Sequence, residues 1–281
     1  MNGEKQYLEL IKHTLDKGVL LPNRTGVSAY TVPHVMLQHD MSLGFPLLTT
    51  KKMAFKTIKV ELEGFIKGIT DKRWFQERGC KIWDEWCNPK LIPPGLSTED
   101  RKKFQLQEPN LGSIYGSQWR NFNNQGYDQL KGIVETLKKN PMDRRMLCSA
   151  WNPNALEEQA LPPCHVLWHL TVTNDTLHLC WFQRSNDALL GIPYNLASYA
   201  MLLHLLAKQS GLKEGTLTGF LSNFHIYENH VEGAKLQLTR SPMTLPQIET
   251  TKFTSIFDWE AGDTALKDYQ SHEKIAFEVA V

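Results

Sequence analysis

Residues 164–211, CHVLWHLTVTNDTLHLCWFQRSNDALLGIPYNLASYAMLLHLLAKQSG, hold the clearest structural signal in this chain. Segments 166–172 and 177–184 are β-branched and aromatic runs separated by Asn174-Asp175, the mark of a hairpin. In the second run Leu177, Leu179 and Trp181 alternate with His178, Cys180 and Phe182, the period of a strand. From Leu196 to Ser210 nearly every position is apolar, and Gly211 follows. A helix apolar all round is buried on every side, so this one is expected to run through the middle of the fold. Strands and a buried helix sharing one core imply an α/β or α+β sandwich.

Outward from this stretch, Tyr7, Leu8, Ile11 and Leu15 recur at helical spacing and stop before Gly18. Leu130, Ile133, Val134 and Leu137 do the same and end at Asn140-Pro141. Segments 217–224 and 275–281 are further expected strands. Segment 87–110 is rich in Pro and charge and poor in periodicity. It reads as a long excursion with one short helix starting near Ser97. Apolar patterning is the same on both sides, so 1–281 is expected to form one domain.

Lys and Arg total 31 against 30 for Asp and Glu, which argues against a partner bound chiefly by bulk charge, such as duplex DNA or an anionic membrane. The longest apolar run, 199–207, is too short to span a bilayer, and the first residues lack a basic start followed by an apolar stretch. Five cysteines, with no C-x-x-C pair, suggest neither a disulfide framework nor a zinc site. A cytoplasmic protein without metal is expected.

Pro162-Pro163-Cys164-His165 is the sharpest local feature. Two prolines make the approach extended and fix the direction of the thiol, and nearby positive charge would lower its pKa and make it nucleophilic. A small buried hydrophobe beside a turn is the alternative. Arg184-Ser185-Asn186-Asp187 leaves a strand end with a charged fork and a hydroxyl, which suits a phosphate. Asn195 could instead be a helix N-cap, and Arg24, Arg144 and Arg145 could be solvated turn charges or could surround one dianion. Glu61 lies within the stripe Ile58, Leu62, Phe65, so its carboxyl should be pushed toward neutrality and suit general acid/base work. Glu63 points off that stripe and is expected in solvent. Trp83 and Trp86 could wall a flat ligand or be core, and His225 and Tyr227 could meet sugar hydroxyls or pair internally.

Together these residues are not anonymous. The chain resembles the thymidylate synthase family from end to end, through NRTG, TTKK, IWDEW, LGSIYGSQWR, the DRR segment with SAWNP, LPPCH, QRSND, LGIPYN with ASYA, HIY and a terminal VAV. The resemblance implies a mixed sheet flanked by helices and a homodimer packed sheet to sheet. It makes Cys164 the nucleophile toward carbon 6 of deoxyuridine monophosphate (dUMP). Arg24, Arg184 and Ser185 would hold the phosphate, with Arg144 and Arg145 reaching in from the partner. Asn195 would read the base; Gln183 and Asp187 would also line the nucleotide, and His225 and Tyr227 the sugar. Glu61 would manage protons, with Tyr115 near the proton leaving carbon 5. Lys51, Ile82, Trp83, Trp86, Leu161, Asp187, Leu190, Gly191, Tyr194 and the terminal Ala280-Val281 would face 5,10-methylenetetrahydrofolate.

Some positions depart from the family's usual pattern. The Glu61 helix reads ELEGF where ELLWF is typical, Tyr194 stands for phenylalanine, Asn223 for an aspartate, and Glu273 follows His272 where proline is common. Gly64 removes bulk, while Glu63 and Tyr194 add polar groups that could order a water on the cofactor side. A dUMP hydroxymethylase of the same family is therefore the nearest rival to a synthase. A DNA cytosine methyltransferase shares the Pro-Cys nucleophile but needs a Gly-rich cofactor loop that is missing, and no basic stripe interleaved with aromatics supports nucleic-acid binding.

Overall fold

A computed structural model of the chain describes residues 1–279. Its strands are β1 (Val19–Leu21), β2 (Ala29–Asp40), β3 (Leu147–Ser149), β4 (His165–Thr173), β5 (Thr176–Asp187), β6 (Lys213–Tyr227), β7 (Gln247–Thr250) and β8 (Thr264–Lys267). Its helices are α1 (Gly3–Lys17), α2 (Phe55–Lys67), α3 (Lys72–Glu77), α4 (Thr98–Gln107), α5 (Tyr115–Arg120), α6 (Gln129–Lys139), α7 (Gly191–Ser210) and α8 (Val231–Leu238). Six strands form one sheet in the order β1-β2-β6-β5-β4-β3, and β7 pairs with β8 separately. The sheet is mixed: β5 and β6 run parallel, and its other neighbours are antiparallel.

The hairpin turns at Asn174, whose left-handed backbone (φ 56°) an asparagine tolerates. The parallel β5–β6 pair needs a crossover, and α7 supplies it. That helix starts at Gly191, and Asp187 caps the approach by accepting the Leu189 and Leu190 backbone N–H groups at 2.9 and 3.1 Å. Asn195 is consequently inside the helix and not its N-cap. Gly211, at φ 70°, closes the helix in a conformation that suits glycine.

Leu179, Trp181, Leu217 and Leu221 on one sheet face are buried, with α7 packed against β5 and β6 and α1 against β2. The other face carries a cross-strand row, Met36–Phe220–Phe182, that is 50%, 45% and 37% exposed in the single chain.

Against the sequence reading, one strand is gained, one is lost, and the excursion's helix is where it is expected. Strand β2 was hidden because Pro33 and His34 (φ 45°) interrupt its alternation. Residues 275–279 form no strand; Ile275 and Phe277 lie over Gly233 of α8, and the Glu278 carbonyl is 2.7 Å from His230 Nε2. The 87–110 excursion does contain a Ser97-capped helix, α4. It is tied back by buried Lys72, whose ammonium donates to the carbonyls of Asp84 (2.9 Å), Trp86 (3.2 Å) and Gln105.

Candidate active site

Cys164 stands immediately before β4, at the end of the two-proline turn. The Arg184 guanidinium donates to both proline carbonyls, to Pro163 at 2.8 Å and to Pro162 at 2.7 Å, and stacks over Trp151. The Cys164 backbone N–H donates to the Tyr115 hydroxyl at 2.8 Å. The turn is therefore pinned from two sides, and Arg184 positions the Cys164 turn as well as presenting charge. Arg24, Arg184 and Asp187 act electrostatically on the thiol. Burial nevertheless outweighs the two arginines and pushes the thiol above its usual pKa, against the sequence expectation. The thiol therefore keeps its proton at neutral pH.

Arg24 projects from a turn closed by Asn23, whose side chain accepts from the Thr25 N–H at 2.9 Å and the Thr25 hydroxyl at 2.6 Å. Arg24 itself is exposed. Arg144 and Arg145 do not join it within one chain. Arg145 forms a bidentate pair with Asp143 at 2.6–3.0 Å and points into solvent, and neither arginine is among the charges acting on Cys164.

Asn195, one turn into α7, donates from Nδ2 to Gln183 Oε1 at 3.1 Å. On β6, the His225 Nδ1 lies 3.2 Å from the Asn223 backbone carbonyl and 2.8 Å from its side-chain oxygen. A backbone carbonyl only accepts, so Nδ1 carries the proton and Nε2 keeps a free lone pair. Burial lowers the pKa of His225, so it is neutral. Tyr227 meets it edge to face at 5.1 Å.

Glu61 is buried in α2, and burial lifts its pKa to about 7, with the Trp83 indole pulling the other way. The buried Trp83 N–H has no hydrogen-bond partner among the described residues. Glu61 also acts electrostatically on the phenols of Tyr115 and Tyr194. His165, singled out in sequence beside Cys164 but given no role there, stacks on Tyr115 (4.0 Å, 13°) and bonds Tyr199 through Nδ1 at 2.7 Å. Its position directly after Cys164 at the head of a strand was the available signal.

On the cofactor side, Trp83 is buried, Trp86 and Leu161 are half-buried, and Ile82 is exposed. Lys51 is buried, donates to the Leu189 carbonyl and lies 4.8 Å over Phe277; burial lowers its pKa to about 8, with Asp187 opposing. Leu190 and Gly191 follow Asp187 at the start of α7. Ala280 and Val281 lie outside the described residues. Buried Trp83 and half-buried Trp86 offer aromatic faces of the kind that a flat, polar-edged ligand such as a pterin takes. Among the described residues no group of three or more His, Cys, Asp or Glu could hold a metal ion, and no helix is long and apolar enough to cross a membrane.

Glu63 is not in solvent. It is buried, accepting from Lys67 at 2.7 Å and from the Ala261 N–H at 2.9 Å, because the Ala261–Asp263 turn covers that side of α2. Gly64 leaves no hole: a Cβ there would lie 2.2 Å from the Phe75 ring, which fills the space. Gly64→Ala is therefore expected to destabilise the protein by about 2 kcal/mol through overpacking, measured as a lower midpoint of denaturant unfolding. An unchanged midpoint would mean Phe75 yields freely.

The family profile described as "Thymidylate synthase" matches residues 5–281. A protein named "Thymidylate synthase" from Mycoplasma pneumoniae (strain ATCC 29342 / M129 / Subtype 1) is 42% identical over 288 residues, covering 99% of this chain and 100% of that protein. One of the same name from Mycoplasma genitalium (strain ATCC 33530 / DSM 19775 / NCTC 10195 / G37) is also 42% identical with the same coverage.

Proposed function

The chain belongs to the thymidylate synthase family, and from that premise we propose how its residues divide the reaction. It is an enzyme of one-carbon transfer, and its substrates are dUMP and methylenetetrahydrofolate. The placement of Cys164, where Arg24 and Arg184 both act on the thiol, carries the reading: a nucleophile and a dianion site coincide.

Arg24, Arg184 and Ser185 take the phosphate of dUMP. Cys164 Sγ adds to carbon 6 of the uracil and releases its thiol proton, and the ring electrons move to make carbon 5 nucleophilic. Asn195 meets the base N–H and its carbonyl, helping to hold the enolate oxygen. Neutral His225 accepts from the sugar hydroxyl through Nε2, with Tyr227 beside it. Tyr115 faces carbon 5, and Glu61, poised near neutrality, exchanges protons through water. Carbon 5 bonds the folate's methylene and loses its proton as the folate nitrogen–carbon bond breaks. With Trp83 and Leu161 keeping water from the exocyclic carbon, hydride from the folate then reduces it and the sulfur–carbon 6 bond breaks to return Cys164, giving thymidylate and dihydrofolate. Lys51, Asp187, Leu190, Gly191, Tyr194, Trp86 and Ala280 complete the folate side.

The hydroxymethylase alternative draws on added polarity at Glu63 and Tyr194 and on lost bulk at Gly64. Glu63 is spent on Lys67 and Ala261, and Phe75 replaces the bulk, so neither supplies a water path. Mass analysis of the nucleotide after incubation with dUMP and methylenetetrahydrofolate should show thymidylate; a hydroxymethyl nucleotide would overturn the synthase reading.

Base choice follows from Asn195. Asn195→Asp is expected to move preference toward deoxycytidine monophosphate (dCMP), since a protonated carboxyl or its anion suits an amino donor. Competition between the two nucleotides checks it, and an unshifted preference would remove Asn195 from base reading.

We place the whole chain in one catalytic unit, because buried apolar residues from Tyr7 to Trp259 form a single cluster. We further place two copies sheet to sheet through the exposed Met36–Phe220–Phe182 row, which would carry Arg144 and Arg145 into the partner's phosphate site. Free cysteines throughout agree with a cytoplasmic location.

A further inference from the structure

An amide distinguishes uracil from cytosine only if its oxygen and nitrogen are kept from exchanging places. Asn195 donates from Nδ2 to Gln183 Oε1, and that oxygen also accepts the Trp181 indole N–H at 3.1 Å. The Gln183 amide nitrogen donates to the Ser185 backbone carbonyl at 3.1 Å. An indole N–H can only donate and a backbone carbonyl can only accept, so the two fix the Gln183 amide in one orientation. If Asn195 turned over, its oxygen would face the Gln183 oxygen, losing a bond and opposing two acceptors in a buried site.

Trp181 is itself immobile. It is fully buried, stacks on Tyr199 at 5.2 Å and 13°, and Tyr199 is bonded to His165. Its strand partner is Gly219, where a Cβ would come within 2.6 Å of the indole ring. The missing side chain at Gly219 is what lets the indole lie across β6.

We propose that Trp181 is a positioning residue that sets base specificity: through Gln183 it holds the Asn195 amide with its oxygen toward the base N–H, and so excludes cytosine. This rests on Asn195 reading the base, as proposed above. Trp181 touches no substrate.

The test measures kcat/KM for dUMP and the inhibition constant of dCMP for the unaltered protein, Trp181→Phe and Gly219→Ala. Phenylalanine keeps a ring against Tyr199 and loses only the donor. It is expected to narrow the preference for dUMP over dCMP by about tenfold, mainly by tightening dCMP. Gly219→Ala displaces the indole and should narrow it by a separate route, and it decides the matter if the phenylalanine variant fails to fold. A merely structural tryptophan would weaken both nucleotides in parallel and lower the unfolding temperature. Folded variants that keep the original preference would overturn the lock. An unaltered protein with no preference for dUMP would instead overturn the reading of Asn195, and the lock with it.

Discussion

Cys164→Ser is expected to retain dUMP binding and to lower turnover by roughly 10⁴-fold or more. The reason is local. Arg184 holds the turn through the Pro162 and Pro163 carbonyls, and Tyr115 receives the Cys164 backbone N–H, so none of these contacts uses the sulfur. The serine variant keeps the phosphate ligands and the shape of the cleft while replacing a polarizable nucleophile with a poor one. Titration calorimetry with dUMP should give nearly the same affinity, and dihydrofolate formation, followed by absorbance, should be close to the blank. More than a tenth of the original turnover would exclude Cys164 as the covalent nucleophile.

Glu61→Gln is expected to lower kcat by about 10²–10⁴-fold and, at alkaline pH, to make the protein more stable. Burial raises the carboxyl from its ordinary 4.5 to about 7 in the folded chain. Between those values the folded protein holds a proton that the unfolded chain has released, so stability falls as pH rises through the interval and stays low above it. A neutral glutamine carries no such penalty. At pH 8 the variant should therefore be more stable by roughly 1–3 kcal/mol, and the two proteins should converge as pH falls toward 4.5. Thermal unfolding at pH 5 and pH 8 tests the sign. A variant that is equally or less stable at both would mean that the buried carboxylate has a compensating partner in the native state.

Gain of stability with loss of turnover is the behaviour expected of a group buried for its chemistry. Glu4 makes the contrast within the same molecule. It too is a buried carboxylate, but it accepts the Thr49 and Thr50 backbone N–H groups at 2.7 and 2.8 Å and both of their hydroxyls. Removing it leaves buried donors unsatisfied and should only destabilise. Glu61 has no such set of donors: only the nearby Trp83 indole opposes the effect of burial.

Periodicity was enough to find the hairpin at Asn174, the buried crossover helix ending at Gly211, and Glu61 on an apolar stripe. Each is a local pattern produced by one face, or every face, of a single element meeting the core. It was not enough for β2, where Pro33 and His34 break the alternation but partners in β6 hold the strand straight. Nor was it enough for 275–279, whose β-like composition serves packing on α8 instead.

The chain by itself determined the family, through motifs spread along its whole length, and the resemblance named a candidate nucleophile and candidate phosphate arginines; helical spacing alone marked Glu61 as a buried acid. Only the tertiary structure decided what surrounds them. Glu63 is buried because a turn some 200 residues later (Ala261–Asp263) closes over α2. Gly64 is filled by Phe75 from a neighbouring helix. The thiol of Cys164 is raised because desolvation outweighs two guanidiniums, a balance of burial against distance that no spacing in the sequence encodes.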